Sequence, residues 1–267
     1  MAPPNPTPPP DPAPTPTPTP PPDPASDPDR SAQALLASGP PSTETTQRHG
    51  AVVLCGGRSS RMGSPKAWLP FAGEPMLARV VRILREVVGP VVVVAAPDQL
   101  VPPLPDPVRL VRDPVEGLGP LAGLAVGLQA LAGGGRCESA YLSSCDVPLL
   151  RPAFVRHLLS LQTAEIDAVV PVAAEYYHPL AAVYRVELAG LATELVAAGQ
   201  RRPLALLEHA RLQGRVCRVP VDHLRSVDPE LDSLVNLNTP ADYQAALRRV
   251  GSTGTAGTAP TRPVGHE

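Results

Sequence analysis

Leu54 to Trp68 reads LCGGRSSRMGSPKAW, in which the glycine pair Gly56-Gly57 is followed by the cations Arg58, Arg61 and Lys66. These residue types suit an anion. Glycines let main-chain N–H groups approach a ligand closely, and arginine offers a planar fork to phosphate oxygens. The segment is not a Walker A loop, because Gly63 is followed by Ser64 and Pro65 before Lys66, and G-x-G-x-x-G is absent as well. On residue types alone, a basic surface loop is an equal reading.

Three later stretches place polar residues where chemistry is done. RDPVEGLGPLAGLAVGL, from Arg112 to Leu128, sets Asp113 after a short apolar run, and Gly117, Gly119 and Gly123 lead into a small-residue helix. By itself this reads as well as an acid-capped helix start. YLSSCDVPLL, from Tyr141 to Leu150, puts Asp146 directly behind a buried strand, at the edge where a metal would sit, and Pro148 stops the strand. A plain strand-ending turn is the alternative. VNLNTPADY, from Val235 to Tyr243, offers Asn236 and Asn238 ahead of a helix start with Thr239 as cap and Pro240 in the first helical position. His178, before Pro179, is a lone histidine of the kind that is usually structural.

The elements that must hold these residues alternate. Strands are expected over 51–55, 90–96, 108–111, 139–144, 168–172, 180–184 and 216–219. Helices are expected over 75–88, 120–131, 152–161 and 240–250, with two or three more between the last two strands. Pro90–Ala96 (PVVVVAA) is continuous and β-branched, as a strand buried on both faces should be. Strand–helix alternation at this spacing predicts an α/β fold, a single Rossmann-like three-layer domain with a mostly parallel sheet. Ligands then bind beyond the carboxyl ends of the strands, which is where the first loop leaves.

Composition narrows the function classes. The chain has 267 residues, 43% hydrophobic but only 3% aromatic, so its core is built from Val, Leu and Ala. A net charge of −2 gives no bulk attraction to nucleic acid or to an anionic membrane, so any bound anion needs a local cluster. No apolar run reaches the roughly 20 residues of a membrane span, and MAPPNPTPPP is no secretory signal. Cys55, Cys137, Cys145 and Cys217 form no C-x-x-C pair, which fits a reducing cytoplasm. Residues 1–41 hold 17 of the 38 prolines, so residues 1–47 are expected to be a disordered, extended tail, or less readily a docking segment for an aromatic groove. Residues 251–267 read as a second tail, leaving 48–250 for the domain.

The string G-G-x(3)-R-M-G-x(2)-K resembles the signature loop of the nucleotide-sugar-pyrophosphorylase-like nucleotidyltransferases, and among them the molybdenum cofactor guanylyltransferases. The G-P-L-A-G, C-D-x-P and N-x-N-T-P-x-D motifs follow in that family's order, and the likeness spans about residues 49–248. The resemblance implies transfer of GMP from GTP to a molybdopterin-type cofactor with release of pyrophosphate. Leu54, Cys55 and Gly56 would meet base and ribose through main chain, while Gly57, Arg58, Arg61 and Lys66 wrap the phosphates. Asp113 would contact the nucleotide and Asp146 would hold Mg²⁺. Asn236, Asn238 and His178 would lie on the acceptor side, with a molybdoenzyme or cofactor-delivery protein as implied protein partner. There is one departure: relatives carry Asn after the second strand, and here Pro97 stands there, so that contact comes from elsewhere or is missing. A CTP-dependent cytidylyltransferase, a sugar- or polyol-phosphate nucleotidyltransferase, and a non-catalytic cofactor-delivery module remain the rival readings.

Overall fold

A computed structural model describes residues 48–56, 65–115, 117–135 and 137–253. Gly57, Arg58 and Arg61, the tail expected over 1–47, and residues 254–267 lie outside the described residues; residues 251–253 of the tail expected from 251 instead continue the last helix. In chain order the elements are β1 (His49–Leu54), the pair β2 (Pro70–Phe71) and β3 (Glu74–Pro75), α1 (Met76–Arg85), β4 (Val91–Ala95), β5 (Arg109–Arg112), α2 (Pro120–Ala132) and β6 (Ser139–Ser144). There follow α3 (Pro152–Ser160), β7 (Ala168–Ala173), β8 (Tyr176–Tyr177), β9 (Val183–Arg185), α4 (Ala189–Ala197), α5 (Leu204–Leu207), β10 (Val216–Pro220), α6 (Val221–Leu224) and α7 (Pro240–Thr253).

One eight-stranded sheet runs in the order β10-β7-β9-β6-β1-β4-β5, with β8 against the end of β7. β1 pairs in parallel with β4 and β6, β4 with β5, and β7 with β10. The mostly parallel α/β sheet expected from the alternation is therefore present. β9 runs antiparallel to both neighbours. Its link from β7 explains this: the nine residues 174–182 are fewer than the dozen or so that a parallel crossover needs. The strand expected over 180–184 is corrected accordingly. Leu180 sits in a turn closed by the Ala181 N–H donating to the His178 carbonyl at 3.0 Å, and pairing begins at Val183.

Successive β1 residues pack on opposite faces, as strand geometry requires. Ala51 and Val53 join a core covered by Leu77, Val80 and Leu84 of α1 and Phe154 and Leu158 of α3. Val52 joins the other, covered by Leu121, Leu124 and Leu128 of α2 and Leu191 of α4. Each fully buried leucine or valine contributes about 1.5–3 kcal/mol. The α2 helix lies so close to β1 that a Cβ on Gly127 would stand 2.4 Å from a Val52 methyl carbon, so glycine sets the depth of that layer. A third cluster, Phe71, Met76, Leu237 and Ala246, joins β2, the start of α1, the segment before α7 and α7 itself.

Candidate active site

Because β1, β4, β5, β6, β7 and β10 share one direction, their carboxyl ends share one edge, and antiparallel β9 contributes the turn that precedes it. A cavity of about 940 Å³ lies along that edge. Leu54 and Gly56 line it from β1, Val94 to Gln99 from β4, Asp113 from β5, Gly117, Gly119, Pro120 and Gly123 from the turn into α2 and its start, and Ser144 and Asp146 from β6. Leu180, Asn236 and Asn238 complete the wall.

Asp146 is the hub. It is only 8% exposed, so each of its oxygens must find a partner. Oδ2 accepts from Lys66 Nζ at 2.6 Å, and Oδ1 accepts from Asn236 Nδ2 at 2.9 Å and from the Ser144 hydroxyl. Lys66 Nζ also donates to Asn238 Oδ1 at 2.7 Å. Four of the residues singled out in the sequence thus meet, although 172 positions separate Lys66 from Asn238.

Local structure explains the meeting. Lys66 opens a 3-10 turn, Lys66–Trp68, anchored by buried Ala67 and by Trp68 Nε1 donating to the Leu100 carbonyl at 3.0 Å. Asn236 and Asn238 flank Leu237, which is fully buried and whose N–H donates to the Asp146 carbonyl at 2.9 Å. Extended backbone alternates its side chains, so burying Leu237 turns both asparagines to the cavity. The preceding bend is held by Asp228, 0% exposed, which accepts from the main-chain N–H groups of Asp232 and Ser233 and pairs with Arg151 at 3.1 Å. Thr239 caps α7 as expected: its Oγ1 accepts from the Asp242 N–H, and the Asp242 carboxylate accepts from the N–H groups of Asn238 and Thr239. The Thr239 bonds first, then the Asn238 N–H and the nearby Lys66 charge, hold Asp242 below the usual carboxylate range.

The β4 side is a riveted turn, Ala96-Pro97-Asp98-Gln99. Gln99 Nε2 donates to the Cys55 carbonyl at 2.8 Å, and Arg112 Nη1 donates to the carbonyls of Ala96 and Gln99. Cys55 therefore has both main-chain groups engaged, since its N–H donates to Val94 O at 2.8 Å. Its thiol, which accepts from Gln99 Nε2 at 3.4 Å, belongs to the core that α1 covers; the bond with the Cys145 thiol lowers the Cys55 pKa, and that same bond first, then burial, raises Cys145. Asp113 donates its N–H to Ala95 O at 2.8 Å and turns a carboxylate oxygen toward the Val115 N–H at 3.4 Å.

The turn into α2 needs glycine at 119. There φ is +87° and ψ 174°, and an added Cβ would stand 2.7 Å from the Arg201 carbonyl oxygen.

His178 is not brought to Asp146. It begins the β-turn whose third residue, Leu180, lines the cavity, and its half-buried ring meets the Tyr176 ring edge-on at 5.0 Å. Burial lowers its pKa.

Sequence reasoning missed Ser144 and Gln99. Ser144, two positions before Asp146 at a strand end, carried a positional signal, whereas Gln99 carried none. Among the described residues no three His, Cys, Asp or Glu side chains converge, and no helix is long and apolar enough to cross a membrane.

The model of the MobA-like NTP transferase domain matches residues 51–215. A probable molybdenum cofactor guanylyltransferase of Mycobacterium avium is 37% identical over 197 residues, covering 73% of this chain and 92% of that one. One of the same name from Mycobacterium tuberculosis is 37% identical over 201 residues, covering 74% and 92%. In fold, the chain is similar to molybdopterin-guanine dinucleotide biosynthesis protein A of Archaeoglobus fulgidus, with TM-score 0.62 and 24% identity over 76% of this chain and 99% of that one. A nucleotidyl transferase of Methanothermobacter shows TM-score 0.56 and 21% identity, covering 77% and 99%. With its family motifs drawn to one cavity at the carboxyl edge of the sheet, this chain belongs to the MobA-like NTP transferase domain family.

Proposed function

We propose that this chain is a molybdenum cofactor guanylyltransferase, which transfers GMP from GTP to a molybdopterin-type cofactor and releases pyrophosphate. One observation carries the reading: Lys66, Asp146, Asn236 and Asn238 converge at the cavity. The name carried by the mycobacterial relatives supports the substrates. We assign the nucleotidyltransferase domain to residues 48–250.

The acceptor ends in a phosphate monoester. Its oxygen attacks the α-phosphorus of GTP, the bond to the β-phosphate oxygen breaks, and pyrophosphate departs. The second pKa of such a monoester is about 6, so at neutral pH the nucleophile is already ionised. A general base is therefore not required, and no histidine is among the described residues lining the cavity. The obstacle is anion meeting anion. Lys66, with Arg58 and Arg61 of the same loop, offsets that repulsion and keeps the reacting oxygens in line.

The donors present fit Mg²⁺. The Lys66 ammonium already lies between Asp146 Oδ2 and Asn238 Oδ1, at 2.6 and 2.7 Å, so two hard oxygens converge on one cation. A single carboxylate suits an ion that takes its other ligands from phosphate and water. Asp146 and Asn238 are the residues that would hold it, with Asn236 and Ser144 steadying the carboxylate. When bound, it supplies Lewis-acid neutralisation of phosphate oxygens.

The test is calorimetric titration with GTP, CTP, UTP and ATP, with and without Mg²⁺, followed by pyrophosphate release in the presence of the acceptor. Preference for GTP is the expected result. Preference for CTP would move the assignment to cytidylyl transfer. Binding of none would overturn the nucleotide site.

A further inference from the structure

We propose that Gln99 is a positioning residue for the nucleotide: its amide fixes the Cys55–Gly56 peptide so that the Gly56 N–H is presented to the ligand, and Arg112 holds Gln99 in place. The inference rests on reading the cavity as a nucleoside triphosphate site.

Gln99 Nε2 donates to the Cys55 carbonyl at 2.8 Å, while Oε1 accepts from the Ala96 N–H at 3.2 Å. One partner is an acceptor and the other a donor, so a primary amide in this orientation serves both and a carboxylate cannot. The peptide is planar and trans, so the Gly56 N–H points opposite to the Cys55 carbonyl. The Cys55 N–H and C=O both face β4, where they meet Val94 O and Gln99. One peptide earlier the chain faces the other way, with the Leu54 carbonyl accepting from the Cys145 N–H of the β6 side at 3.0 Å. The Gly56 N–H is the next group in that alternation. It faces the Asp146 side of the cavity that Gly56 lines, and no protein acceptor takes it among the described residues.

Glycine at this position could turn the peptide over, and the Gln99 bond opposes that rotation. Arg112 closes the frame by donating to the carbonyls at both ends of the turn, Ala96 at 3.0 Å and Gln99 at 2.5 Å. An oriented N–H held toward the nucleotide is a donor present in ground and transition states alike. Its loss therefore falls on binding rather than turnover.

The experiment uses the full chain. GTP is titrated calorimetrically without acceptor, steady-state rates are measured with it, and thermal midpoints are recorded for wild type, Gln99→Ala, Gln99→Glu and Arg112→Ala. We expect Kd and KM for GTP to rise about tenfold in both Gln99 variants, with kcat within about twofold and the folded state retained. Gln99→Glu is the discriminating variant. It keeps the side chain's size and accepts from Ala96, yet sets a carboxylate oxygen against the Cys55 carbonyl, so it should be no better than alanine. Wild-type affinity in Gln99→Glu would overturn the proposal, because size alone would then account for the residue. So would a fall in kcat at unchanged Kd. Arg112→Ala should reproduce the alanine defect, and wild-type affinity there would overturn the role given to Arg112. If the wild type takes CTP instead, guanylyl transfer fails but the same comparison on CTP decides this inference. If it binds no nucleotide, both fail.

Discussion

Asp146→Asn removes one charge and no volume, which makes its consequences calculable. Asn keeps one carbonyl oxygen to accept from Ser144 and Asn236, and its amide nitrogen then faces Lys66 Nζ across the 2.6 Å now held by an ion pair. A charge-assisted bond worth about 1.5–3 kcal/mol becomes donor against donor. Breaking a buried pair costs about 3–5 kcal/mol. Lys66 retains Asn238 Oδ1 at 2.7 Å and a side chain 17% exposed, which points to the low end, about 3 kcal/mol. For a domain of this size that lowers the thermal midpoint by about 6–12 °C. Turnover with Mg²⁺ should fall by about 10³-fold, the scale of one preorganised charge-stabilising group. GTP binding without Mg²⁺ should survive within a few-fold, since a negative charge facing the triphosphate has been removed rather than a positive one. Differential scanning fluorimetry, metal-free calorimetry and pyrophosphate release read the three quantities separately. Turnover within tenfold of wild type, with unchanged Mg²⁺ dependence in a folded variant, would refute the assignment of Asp146 to the reacting centre.

Lys66→Ala should lower turnover by about 10²-fold or more, measured as pyrophosphate release, and an effect under a few-fold would remove Lys66 from the site. Gly119→Ala combines a φ of +87° with a Cβ 2.7 Å from the Arg201 carbonyl, an oxygen that cannot retreat because it accepts from the Leu121 N–H at 3.0 Å. Its denaturation midpoint should fall well below that of Gly117→Ala, whose added methyl meets nothing within 4 Å and which bears only the backbone strain of about 1–3 kcal/mol. Burial lowers the pKa of His49, His157 and His178, so the unfolded chain takes up protons first as pH falls below about 6.5. Stability from these groups is complete above that pH and is lost as pH drops through their folded values. Thermal midpoints should therefore decline from pH 7.5 to 5.5, and a flat profile would contradict the burial of these rings.

Much of the sheet was legible because its strands are buried on both faces. VVVV in β4 admits no helical periodicity, and the short apolar stretch Ala140–Leu142 followed by Asp146 and Pro148 marked β6 and its end. What escaped was set by length or by partners. The pairs β2–β3 and β8 have two residues each, too few to show a period. LAAVY, from Leu180 to Tyr184, is apolar throughout and reads as one strand, yet its first residues form a turn. That turn is closed by main-chain groups that residue types do not betray. The site divides in the same way. Lys66, Asp146, Asn236 and Asn238 were visible as types in motifs, but the bonds joining them depend on β1 lying beside β6 and on Leu237 being buried. Gln99 had no signal, since its partner is the Cys55 carbonyl and only the register of β1 against β4 brings the two together.

The strand order also arranges the reaction in space. From β5 inward, the edge presents Asp113, then the Ala96–Gln99 turn, then the start of the phosphate loop at Gly56, then Asp146 on β6. The same edge continues past β6 to the turn that precedes β9. Had β9 run parallel, its following loop would stand at that edge and the His178–Ala181 turn would lie at the far one. The short link after β7 forbids that arrangement, so Leu180 reaches the cavity wall and the Tyr176–His178 rings stand just outside it. The Leu180 wall of the cavity is thus a consequence of connection length, in the same way that the Gly56, Ala96–Gln99 and Asp113 walls are a consequence of parallel strands. The chain's net charge of −2 gives neither anion any long-range attraction. Both must be held by the few cations and oriented N–H groups that this edge concentrates.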